Sequence, residues 1–146
     1  VFCDDPIWLV TPKGHPLIPD PQNPQPVHFA DAIKYQIISL HEGGVIDDLI
    51  SEAANKLSHE MHPHIKVMRF GSLRRVIAAG LGIGFLRRSS VEEHLSHMNI
   101  SGTPIADDWA KRQLLIVHEA EKNLSTATRT LRDYLLKKSH AAASPE

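Results

Sequence analysis

The sequence predicts an α/β fold around a mostly parallel sheet, on three observations. Short runs rich in Ile, Val, Leu and aromatic residues alternate with stretches of helical apolar spacing. Gly, Pro, Ser and Asn cluster between those runs. One stretch, from Phe70-Gly71-Ser72-Leu73 to Gly82-Ile83-Gly84-Phe85-Leu86, reads as strand end, helix, glycine turn and buried strand. Strands separated by helices imply parallel neighbours joined by right-handed crossovers.

Ile7 to Thr11 is strand by its β-branched and aromatic content. Residues 18 to 27, crowded with prolines, are loop. Phe29 to Ile33 makes a short helical turn, and Gln36 to Leu40 a second strand. His41-Glu42-Gly43-Gly44 then feeds a helix from Val45 to Met61. Its apolar stripe (Val45, Ile46, Leu49, Ile50, Ala53, Ala54 and Leu57) is broad enough for more than one contact. Pro63 ends it. Ile65 to Phe70 is a third strand. Ser72 stands where the next helix would be N-capped, and Gly80 where it would stop in a left-handed turn. Ile83 to Leu86 is apolar on both faces, as a buried parallel strand is. Ser89 or Ser90 caps a short helix through Leu95, and Met98 to Ile105 is extended. Arg112 to His118 is the last strand. Ser125 caps a final helix with Ala127, Leu131, Tyr134 and Leu135 on one face. Residues 139 to 146 read as a disordered tail.

In such sheets ligands bind beyond the carboxyl ends of strands, beside helix N-termini. Those ends hold Ser39, His41, Glu42, Gly43, Phe70, Gly71, Ser72 and Arg87, the candidate binding residues. Hydroxyls, backbone amides and one guanidinium suit a small polar or anionic ligand.

Composition narrows the partners. A chain of 146 residues holds one ordinary domain, or one lobe and part of another. A formal net charge of −1 creates no basic field toward nucleic acid or an anionic membrane. The single Cys3 excludes an internal disulfide framework and fits a reducing cytoplasm. No apolar run approaches the roughly 20 residues of a membrane helix, and no signal-peptide pattern is visible. A chain that starts at Val1 is read as a piece of a longer one.

Other motifs have structural readings. Gly80-Leu81-Gly82-Ile83-Gly84 lacks the spacing of a dinucleotide loop and leads into a strand, so it is a turn. His59, His62 and His64 are divided by Pro63 and have no cysteine nearby, so no metal site is assigned. The acidic pairs Asp47-Asp48 and Glu92-Glu93 fall in first helical turns, where negative charge suits the dipole. Ser72 lacks a nucleophile elbow. No catalytic residues, cofactor or enzyme activity are expected.

Three blocks resemble the LysR-type transcriptional regulators: Trp8 to Leu17, which ends in Gly14-His15-Pro16-Leu17; Phe70 to Ser89; and Pro104 to Val117 with Leu124-Ser125 and the last helix. The resemblance implies a periplasmic-binding-protein type of effector domain. Residues 1–106 would be its second lobe, and 107–138 the returning strand and helix of the first. It implies a homo-oligomer, dimer or tetramer, that contacts DNA only through an N-terminal helix-turn-helix absent from this sequence. It implies no contact with membrane. It also implies that the Val45–Met61 helix packs against a partner subunit, with Ala54 as an outward position. Arg87 stands where the family often has proline, which favours an anionic effector. A transporter's solute-binding protein shares the fold and is the alternative.

Overall fold

The structure, a computed structural model, describes residues 1–40 and 44–142. It divides into two compact units. The larger is Pro6–Lys111; the smaller joins Val1–Asp5 to the chain from Arg112 on.

The larger unit contains β2 (Ile7–Pro12), α1 (Phe29–Ala32), β3 (Ile38–Leu40), α2 (Val45–Lys56), β4 (Ile65–Val67), α3 (Phe70–Ala78), β5 (Gly84–Arg87) and β6 (Ile100–Pro104). β3 and β4 pair in parallel, and a parallel bridge at Ile37–Ile83 joins β3 to β5. β2 lies between β5 and β6 and is antiparallel to both. The spatial order is therefore β4-β3-β5-β2-β6. Four strands share one direction and β2 runs against them. The predicted α/β class holds, and the sheet is mostly parallel by direction, but Ile83 to Leu86 is not flanked by parallel strands on both sides.

Alternation along the strands builds two apolar layers. Ile7, Leu9, Ile37, Ile83 and Phe85 face α1 and α2, where Phe29, Ile50, Ala53 and Ala54 close the layer. Val10, Ile38 and Leu86 belong to the other layer, with Leu73 and Ile77 of α3. Fully burying a side chain such as Leu73 or Ile77 contributes about 1.5–3 kcal/mol.

The glycine run is structural throughout. Gly80 takes φ +81°, and the amides of Gly80 and Leu81 bond back to Ile77 and Val76 as a C-terminal cap of α3. A Cβ at Gly82 would lie 2.7 Å from the Gln36 carbonyl oxygen, and one at Gly84 3.0 Å from Ile77 Cδ1. The short contacts let β5 close on β3 and α3 close on β5.

Several predicted boundaries move. α2 ends at Lys56 instead of Met61. Ser58 adopts φ +54°, and the Ser58 and His59 amides bond to the Asn55 and Ala54 carbonyls, the same capping pattern as at Gly80 but on a serine. Ala54, expected to face outward, is fully buried; the exposed apolar residues of this segment are Val45 and Leu57. The segment after β5 forms two 3-10 turns, Arg88–Ser90 and Glu92–His94, neither with a side-chain cap.

In the smaller unit, β1 (Cys3–Asp4) pairs antiparallel with β7 (Gln113–Leu114). The expected strand to His118 stops at Leu114 because its partner has only two residues; Leu115 and Val117 are exposed. α4 (Thr126–Ala142) is capped as predicted, with Ser125 Oγ accepting from the Thr128 amide at 3.2 Å. Arg132 binds Glu121 and Asp133 and ties the turn before α4 to the helix. The helix takes in Ser139–Ala142 of the expected disordered tail; alanine is the best helix former, and Ser139 Oγ donates to the Leu136 carbonyl at 2.7 Å. Residues 143–146 lie outside the described residues.

Candidate functional site

The parallel strands β4, β3 and β5 bring their carboxyl ends to one edge of the sheet. Ser39 sits on β3, the middle strand of the three. Phe70, Gly71 and Ser72 follow β4, and Arg87 ends β5. His41, Glu42 and Gly43 lie outside the described residues.

α3 starts earlier than its sequence suggested. Arg69 is the N-cap residue, with an extended backbone, and the Leu73 amide bonds to the Arg69 carbonyl at 3.0 Å. Ser72 is therefore the third residue of the helix, exposed, and not its cap; the first helical bond forms one turn sooner than a Ser72 cap would require. No side chain caps the helix. The amides of Phe70, Gly71 and Ser72 come before the first intrahelical bond, so the helix itself leaves them unbonded. They add to the positive end of the helix dipole.

Phe70 and Arg87 meet directly. The Arg87 guanidinium carbon lies 5.5 Å from the Phe70 ring centroid, a cation–π contact that fixes the long side chain at the sheet edge. Ser39 Oγ is buried and has no hydrogen-bond partner among the described residues. A buried hydroxyl left in that state costs about 1–3 kcal/mol. No described contact joins Ser39 or Ser72 to the Phe70–Arg87 pair.

The neighbouring arginines have other duties, which their sequence did not reveal. Arg74 Nη1 donates to the Ser90 carbonyl at 2.7 Å and ties α3 to the turn after β5. Arg88 holds Glu92 through both carboxylate oxygens and lies over Trp8. Asp107, from the far end of the unit, accepts the Phe29 amide at 2.8 Å and so caps α1. Among the described residues no group of three His, Cys, Asp or Glu side chains is placed to hold a metal ion, and no helix is long and apolar enough to cross a membrane.

The family model for the LysR substrate binding domain matches residues 1–139. Solved structures share the fold. The regulatory domain of CcmR from Synechocystis PCC6803, in complex with 2-PG, is 19% identical with a TM-score of 0.78, over 94% of this chain and 64% of that one. The effector binding domain of QuiR in complex with shikimate is 16% identical with a TM-score of 0.70, over 96% and 64%. Full-length BenM is 18% identical with a TM-score of 0.74, over 99% and 47%. The chain thus spans just under two thirds of the length of the first two. No curated protein matches the sequence. The family match favours a LysR-type domain over the transport alternative. With the family model covering nearly the whole chain, the protein belongs to the LysR substrate-binding domain family.

Proposed function

We propose that this chain is part of the effector-sensing domain of a transcriptional regulator, and that it binds a small polar or anionic effector at the edge formed by β4, β3 and β5. The observation that carries the reading is the gathering of the unpartnered Ser39 hydroxyl, the α3 amides and the Phe70-held Arg87 at one edge of one sheet. A carboxylate or phosphate would satisfy the hydroxyl and meet the guanidinium and the helix dipole together. The complexes of CcmR with 2-PG and of QuiR with shikimate support a small ligand. In this reading Pro6–Lys111 is most of the second lobe, and the smaller unit is the returning part of the first. The chain senses and does not catalyse. The intact regulator works in the cytoplasm as a dimer or tetramer and meets DNA through a separate domain.

A thermal-shift screen of small carboxylates and phosphates on this chain, followed by calorimetry on the best binder, tests the assignment. Ser39→Ala and Arg87→Ala are each expected to weaken binding about tenfold, with the fold retained. Unchanged affinity in both variants refutes the site.

A further inference from the structure

A second recess lies at the opposite edge of the sheet. Tyr35, ahead of β3, is 39% exposed and borders three surface cavities of about 260, 330 and 280 Å³. The first of these has a distinct chemistry. Tyr35 and Met61 give it apolar walls, and Lys34, His59, His62 and His64 line much of the rest.

The fold explains why these side chains gather. The Ser58 cap turns the chain out of α2. From Met61 to Val67 exposure then alternates residue by residue. His62 and His64 therefore share the outer face of an extended segment, with Met61 and Pro63 turned inward. The His64 amide donates to the Ile37 carbonyl at 2.8 Å and holds this segment against the start of β3.

The charge pattern is one-sided. No carboxylate among the described residues lines the recess. The nearest acids stand outside it: Asp31 pairs with Lys34 at 2.7 Å, and Glu60 approaches His62 at 3.5 Å. The titratable groups facing the space are Lys34, Tyr35 and the three imidazoles. Protonated imidazole is a cation and a double N–H donor, so His59, His62 and His64 in that form would add positive charge to the recess beside Lys34. A metal would also use imidazoles, but the described donors are not arranged for one.

We propose that this recess is a second ligand site, distinct from the effector edge, which takes a small anion with an affinity that rises as the pH falls. Phosphate and carboxylate groups have the required charge and fit the volume. The inference does not depend on the effector reading.

Sulfate is a suitable probe, because its charge is constant over the range. The full chain is titrated calorimetrically at pH 5.5 and 8.0 at one ionic strength, with histidine ring resonances followed by NMR. Binding is expected to be about tenfold tighter at pH 5.5, with shifts at His59, His62 and His64. The double variant His62→Ala, His64→Ala should lose that gain, while Arg87→Ala should leave it intact. If the alanine pair unfolds, His62→Gln with His64→Gln makes the same comparison. Four results overturn the proposal: affinity independent of pH, binding unchanged in the double variant, equal loss in Arg87→Ala, or imidazoles that respond to Zn²⁺ and not to sulfate.

Discussion

Gly82→Ala should be among the most damaging single-methyl changes in this chain. The new Cβ would sit 2.7 Å from the Gln36 carbonyl oxygen and 3.1 Å from Ile38 Cγ1. Ordinary C···O contacts begin at about 3.3 Å, so the carbonyl must retreat by roughly 0.6 Å. That carbonyl accepts the Ile83 amide at 2.9 Å, and the Ile38 amide donates to Ile83 at 2.8 Å. These two bonds join β3 to β5. Weakening both costs about 2 kcal/mol. The backbone at φ +154° is nearly closed to a residue with a side chain, which adds about 1–3 kcal/mol. The total is about 3–5 kcal/mol, a large part of a typical domain's stability. With an m-value near 2 kcal/mol/M, the urea midpoint of the larger unit should fall by about 2 M. Gly14→Ala is the control. Gly14 also has a positive φ, +80°, but open space around it, so its cost should stay near 1 kcal/mol. Circular dichroism gives the midpoints, and hydrogen exchange at Ile38 and Ile83 localises the damage. If Gly82→Ala costs no more than Gly14→Ala, the close-contact argument is wrong.

Further outcomes follow from other contacts. Asp107→Ala removes the cap on α1 and should lower stability by about 1 kcal/mol in thermal melts. Ala54→Glu buries a charge in the core and should unfold the larger unit, whereas Val45→Glu on the exposed side of the same helix should fold normally. If that side meets a partner subunit, only Val45→Glu will yield a folded protein with a weakened dimer by light scattering. Burial holds the His15 imidazole below its ordinary 6.5, and its Nδ1 accepts the Leu17 amide. Folding therefore favours neutral His15. Its contribution is complete above pH 6.5 and declines as the pH falls below that value. His15→Asn should flatten this part of the stability profile between pH 5 and 7 in urea titrations.

Apolar periodicity made most of the architecture legible. Ile7, Leu9 and Val10, or Leu73 and Ile77, are buried because nothing else could cover them, and their spacing shows it. Capping was legible where the residue type announces it, as at Ser125 by its side chain and at Gly80 by its backbone. It was misread where the residue type does not. Ser58 closes α2 through a left-handed turn that serine composition does not announce, and Ser72 looked like a cap because its hydroxyl suits one. The edge of the sheet followed from strand order, so Ser39, Phe70 and Arg87 could be placed near it. Pairings across the fold, such as Arg87 over Phe70 or Asp107 capping α1, depend on long-range geometry that a linear pattern does not contain.

The reversed strand β2 has a consequence for the order in which the molecule assembles. It is the first strand of the larger unit to be synthesised, yet both its partners come much later: Ile7 pairs with Arg87 and Trp8 with Pro104. These ladders close loops of roughly 75–95 residues, the kind of contact that slows folding. The β3–β4 pair and the helices beside it span far shorter loops. On a ribosome, Ile7 to Pro12 must therefore wait unpaired, with apolar residues on both faces, until β5 has emerged, and with one edge open until β6 follows. The proline-rich stretch behind it would help in that interval, because a segment so poor in free amides is a weak template for another chain.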